Sequence, residues 1–161
     1  METVLEPFME LLREIYIGTN SERSWVIDHK PGYGFTAAIK QLSAEQASTP
    51  IVPGGSTIAA HTEHLRWSLY FALEFFEGKT PSSNWQESWA IREVNQPQWE
   101  QLQQDLLVAY EKLRNAILSV KDWSNTFFVT GTLALLPHAA YHLGAVKQLI
   151  IFVNSREHQI A

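Results

Sequence analysis

The chain has 161 residues, 45% hydrophobic and 18% charged, a composition that excludes a disordered segment and allows a core burying roughly 70% of the unfolded surface. Lys and Arg number 12 against 17 Asp and Glu, and the net charge of −5 argues against a general nucleic-acid binder. There is no cysteine, which excludes disulfides, thiolate metal ligands and cysteine nucleophiles and suits a reducing compartment.

The first predicted helix runs from Thr3 to Ile17, with Val4, Phe8, Leu11, Leu12 and Ile15 at helical spacing and Gly18 as its stop. Thr19 to Tyr33 has no clear period, and Pro31, Gly32 and Gly34 mark a turn. A short helix is expected from Phe35 to Leu42, and Ser43-Ala44-Glu45-Gln46 reads as the cap and first turn of another. Ser48 to Gly55, with Pro50 and Pro53, is a loop. Ser56 or Thr57 caps a long helix reaching about Glu77, where Gly78 ends it. Lys79 to Asn84 is a turn-rich connection, and Trp85 to Glu93 can be ordered in part by its two tryptophans. Pro97 suits the first turn of a third long helix, Gln98 to about Val120, with an apolar series through Leu102, Leu106, Ala109, Leu113, Ile117 and Val120. Asp122 to Asn125 is a loop, and the last helix spans about Thr130 to Val153 with a polar tail from Asn154.

No repeat, low-complexity tract or alternating strand pattern interrupts this series. The expected fold is all-α, a four-helix bundle in one domain over residues 1–161, with a long irregular connection between the first two long helices. That connection, Asp28 to Gly55, exceeds what a minimal up-down bundle needs and can build a pocket. The beginning of the chain is acidic where a signal peptide is basic. The longest weakly polar window, Thr126 to Val146, is broken by Pro137, His138 and His142, so no membrane span is expected. The expected location is the cytoplasm.

Six histidines are spread unevenly, and His138-Ala139-Ala140-Tyr141-His142 is the sharpest local pattern. Spacing of i,i+4 sets both imidazoles one turn apart on one helix face, where they can share a metal. The face continues through Leu135, Ala145 and Leu149, so both rings should point inward, as hydrogen-bonded core histidines also would. Ala139 stands where the HExxH motif has its glutamate, which disfavours a zincin-like peptidase. A catalytic site of the zinc type usually takes three protein ligands. The second long helix offers His61 and His64, both on apolar lines, and periodicity does not choose between them. Trp85, Trp89 and Trp99 read as cover for the bundle, Trp67 and Tyr141 as packing or pocket residues, and Glu63 and Glu74 as solvated surface carboxylates rather than a general base or outer partners of a site. His29 and His158 carry no assigned role.

Three stretches carry a family resemblance: Ser56 to Trp67 with its His64-Leu65 step, Asn84 to Trp89 with Gln98-Trp99-Glu100, and Leu136 to Val146. In order and separation they resemble the DinB-like (DinB/YfiT) proteins over about residues 25 to 153, the last stretch matching that family's HxxxHxGxh motif. The resemblance implies a divalent metal held by His64, His138 and His142, with His61 as an outer partner or pocket residue together with Trp67 and Tyr141. Ala145 departs from the pattern, since many members carry Gln after the glycine, which leaves the ligands intact but alters their surroundings. The metal is Zn, Ni or Fe by ligand chemistry, and imidazole also suits Cu, so the sequence does not name it.

The resemblance further implies a small-molecule substrate and a low-molecular-weight thiol as possible cosubstrate, for transfer or hydrolysis, with no nucleic-acid or membrane partner. A non-catalytic ligand- or partner-binding bundle with a structural or vestigial metal site is the competing expectation, as is a stress-associated dimer that the metal only stabilises. The apolar faces of the second long helix are wide for one bundle seam, which points to a homodimer, as family members often form.

Overall fold

The computed structural model describes residues 2–19, 23–81 and 84–160. Four long helices make the bundle: α1 (Glu2–Tyr16), α4 (Ile58–Phe76), α5 (Gln96–Ser119) and α6 (Thr126–Ile160). The excursion between α1 and α4 holds two short helices, α2 (Phe35–Ile39) and α3 (Ala44–Ser48), and a 3₁₀ turn at Glu87–Trp89 lies between α4 and α5. No strand occurs among the described residues, in keeping with the all-α expectation.

Local sequence sets most of the boundaries. Ser43 and Gln46 form a reciprocal capping box on α3, and Asn95 and Gln98 form one on α5, where Pro97 fills the first turn. Thr57 rather than Ser56 caps α4, its hydroxyl accepting from the Ala60 N–H at 3.1 Å. After α4 the chain turns at Gly78, whose φ of +73° is open to glycine without the Cβ penalty.

The last helix is longer than its pattern predicts at both ends. Asn125, read from sequence as loop, caps it: the side chain accepts from Phe128 N–H at 3.1 Å, and its carbonyl accepts from Val129 N–H at 3.0 Å. The polar tail continues the helix because residues 154–160 contain neither Gly nor Pro. Pro137 lies inside α6, so the Leu133 carbonyl loses its usual donor one turn before the His138–His142 pair.

Helix α4 packs along α5 and also meets α6, α1 packs along α6, and the rings of Tyr16 and Tyr110 join α1 to α5 at 5.3 Å. Phe8, Leu12 and Ile15, Leu65 and Leu69, Leu106, Leu113 and Ile117, and Leu143, Val146 and Leu149 fill the space between them. Each such side chain contributes about 1.5–3 kcal/mol relative to exposure. Trp99 is fully buried and donates its indole N–H to the Leu42 carbonyl at 2.8 Å, tying the excursion to α5.

Residues 25–27 are tied to α1 by Glu14. Its buried carboxylate accepts the backbone N–H groups of Trp25, Val26 and Ile27 at 2.7–3.0 Å. Gly34 passes so close to Gly18 that a Cβ there would meet the Gly18 nitrogen at 2.3 Å. These contacts hold the excursion against the bundle.

Candidate metal centre

Helix α4 is buried all round from Ile58 to Leu65, because α3, α5, α6 and the 3₁₀ turn surround its first two turns. This brings both His61 and His64 into the interior, at 6% and 5% exposure, where both rings meet Trp89 and His142. From α6, His142 is buried and His138 half-buried. The side chains of His64, His138 and His142 converge: each offers a ring nitrogen, and these nitrogens all lie within 4.8 Å of one another. Nε2 of His138 is 3.0 Å from Nε2 of His64 and 3.1 Å from Nε2 of His142.

The outer nitrogens of His64 and His142 have hydrogen-bond partners. Ser88, fully buried in the 3₁₀ turn, donates its one hydroxyl proton to the Trp85 carbonyl at 2.7 Å. Its oxygen is then left to accept from His64 Nδ1 at 2.7 Å, so the His64 hydrogen sits on Nδ1 and the Nε2 lone pair faces the cluster. His142 Nδ1 lies 2.9 Å from His61 Nδ1, and His61 Nε2 lies 3.0 Å from Ser56 Oγ. A hydrogen on His142 Nδ1 satisfies the whole chain: His61 accepts it on Nδ1 and donates from Nε2 to Ser56. In that arrangement His142 Nε2 is bare as well, whereas a chain running the other way, from a donating Ser56, places the His142 hydrogen on Nε2.

Burial holds these imidazoles neutral. It pushes His64 down to about 4, with the neighbouring His138 and His61 adding to the effect, and His142 down to about 3. His61 falls to about 4 and His138 is also lowered, both by burial. Neutral rings with bare Nε2 atoms are the form that ligates a metal.

The donor set could hold one divalent ion. Two imidazoles bound at about 2.0–2.1 Å bring their nitrogens roughly 3.0–3.4 Å apart over ordinary coordination angles, and the separations of His138 Nε2 from the other two fall in that interval. Among the described residues, the side chains that hydrogen-bond to or meet the rings of the four imidazoles are neutral: Ser56, Ser88, Trp85, Trp89 and Tyr141. An ion there would keep its charge largely uncompensated.

His61 reaches the cluster only through His142, and Tyr141, 72% exposed, meets the His142 ring edge-on at 5.1 Å. Trp67 touches Phe71 and Trp85, not the imidazoles themselves. Two residues escaped sequence reasoning. Trp89, expected only to cover the bundle, stacks on His64 at 4.2 Å with planes 20° apart. Ser88 had no signal beyond lying between two tryptophans.

The expectation for Glu63 is corrected. It is 5% exposed, not solvated, and both its oxygens accept from Arg66 at 2.7 Å. The cause is the burial of α4 on every side at this level. Glu63 and Arg66 line a separate groove of about 840 Å³ with Ile91, Val94, Gln101 and Leu102, and none of the histidines lines it. His29 is exposed in the excursion beside Asp28, and the His158 side chain lies outside the described residues.

A family model described as the DinB superfamily matches residues 34–147, from just before α2 to well inside α6. No curated protein and no solved structure matches the chain.

Proposed function

The chain belongs to the DinB superfamily, and from that membership we propose that it is a metal-dependent enzyme whose single divalent ion is held by His64, His138 and His142. The reading extends to a reaction on a small molecule, either transfer from a low-molecular-weight thiol or hydrolysis. The observation that carries it is the convergence of three Nε2 atoms on neutral rings, with the outer nitrogens of His64 and His142 engaged elsewhere.

Bound by three neutral imidazoles, such an ion supplies uncompensated positive charge, which acidifies a water or thiol and polarises an acceptor group. The remaining work belongs to the chain. Ser88 keeps the His64 hydrogen on Nδ1, and His61 takes the corresponding hydrogen of His142, so both Nε2 atoms stay aimed at the centre. Trp89 shields the His64 face from water. His138, the more open of the three, stands on the approach side.

The same reading includes a cytoplasmic homodimer. No helix among the described residues is long and apolar enough to cross a membrane. The outer face of α6 exposes Phe127, Leu133, Tyr141 and Ile151, and no charged residue occurs between Thr126 and Val146. A second copy would cover that apolar surplus.

The test is turnover by the zinc-, nickel- or iron-loaded protein on thiol-transfer and hydrolysis substrates, beside a His138→Ala, His142→Ala double variant. Metal-dependent turnover lost in the double variant supports the reading. Equal turnover in both proteins would overturn it.

A further inference from the structure

Beside the imidazole cluster the aromatic side chains form one continuous, partly open wall. Trp85 lies 6.0 Å from the His64 ring, 5.0 Å from Trp67 and 5.4 Å from Phe71. Trp67 and Phe71 stack at 5.1 Å with planes 15° apart, and Phe71 meets Phe75 at 5.3 Å. Helix α4 supplies residues 67, 71 and 75 at one-turn intervals, and the connection that follows supplies Trp85 and Trp89. Trp85 and Phe75 are 47% and 37% exposed, and Trp67, Phe71 and Trp89 are half-buried. Trp99 and Phe35 are closed completely in the core, whereas this aromatic series, with Tyr141 beside His142, is ring surface left open next to the cluster.

We infer that the wall holds the body of the ligand whose donor atom meets the histidine cluster, and that this ligand is a flat, ring-bearing apolar molecule with an anionic donor group. The inference rests on the metal reading above and narrows its substrate class. Charge selects the donor. Among the described residues the side chains that hydrogen-bond to or meet the imidazole rings are neutral, so a divalent ion favours a thiolate, hydroxamate or carboxylate. Aromatic faces alone would accept a cation, but the neighbouring ion repels one. Shape selects the rest: indole and phenyl faces recognise a ring by offset or edge-on stacking and present few hydrogen-bonding groups to a polar body.

Benzohydroxamate and acetohydroxamate share one donor group and differ in the ring, so their relative affinity for the zinc-loaded protein measures the wall. The expected ratio is on the order of 10-fold in favour of the ring, read by calorimetry and by quenching of tryptophan fluorescence. Trp67→Ala should bring the ratio close to one while leaving zinc affinity and acetohydroxamate affinity unchanged. Trp67→Leu, which keeps apolar volume, serves if the alanine variant does not fold, with the same loss expected. A ratio near one in the wild-type protein, with zinc bound, overturns the inference and leaves the metal reading standing. Failure of zinc to bind at all is seen in the preceding metal titration and removes both. A Trp67 variant that keeps the ratio but converts a dimer to monomer assigns the wall to a second copy instead and overturns the inference.

Discussion

Replacing Ser88 with alanine removes one oxygen from a fully buried position and leaves His64 Nδ1–H without an acceptor. Two 2.7 Å hydrogen bonds disappear. His64, at 5% exposure, has no solvent to take the place of the serine oxygen. The expected loss of stability is therefore that of one buried unsatisfied donor, about 1–3 kcal/mol. The His64 hydrogen also becomes free to move to Nε2, where it competes with the metal. Loss of an outer partner typically weakens metal binding about 10–100-fold, or roughly 1.4–2.7 kcal/mol. Competition with a chromophoric chelator reads the affinity, urea unfolding of metal-free protein reads the stability, and ¹⁵N shifts of the His64 ring read the tautomer. An alanine variant that loses stability but keeps both the wild-type affinity and the Nδ1–H tautomer would refute the argument. Ser88 would then only brace the 3₁₀ turn.

His142→Ala should remove most of the bound metal, whereas His61→Ala should cost about 10–100-fold in affinity, because His61 acts through His142; the same chelator competition reads both, and a site emptied by His61→Ala but not by His64→Ala would mean that His61 is the ligand from α4. The metal-free protein should lose stability as pH falls from about 6.5 towards 4, since unfolded histidines take up protons there that His61, His64 and His142 refuse in the fold. The slope is about 1.4 kcal/mol per pH unit for each histidine kept neutral, and a flat stability profile in urea between pH 7 and 4.5 would contradict it. Trp99→Ala should cost about 3–5 kcal/mol through its cavity and the lost indole bond to Leu42, checked by thermal or urea unfolding. Light scattering at tens of micromolar should show a dimer that Phe127→Glu and Ile151→Glu on the outer face of α6 convert to monomer.

The helices were legible where caps and periods agree. Ser43 with Gln46, Pro97 at the start of α5, and Gly78 each stand at a boundary that a short-range rule locates. Asn125 was missed because its capping role depends on the helix starting four residues before the clear apolar pattern. The i,i+4 pair on α6 was readable because helical geometry alone makes His138 and His142 neighbours. The partner from α4 was not readable from periodicity, since that helix is buried on all sides and no face distinguishes His61 from His64. The same all-round burial hid Glu63, whose charge suggested solvent. Ser88 and Trp89 depend on how the 84–94 connection folds back over α4, a long-range placement that no local pattern encodes.

The central claim is most directly tested by metal content. Protein made without an affinity tag and purified without chelator is analysed by inductively coupled plasma mass spectrometry, beside the His138→Ala, His142→Ala double variant prepared identically. The account predicts one divalent ion per wild-type chain and almost none in the double variant, with both proteins helical by circular dichroism. Full occupancy in the double variant, or a wild-type protein that takes up no zinc, nickel or iron when offered them, would contradict it and leave a bundle with buried, hydrogen-bonded histidines.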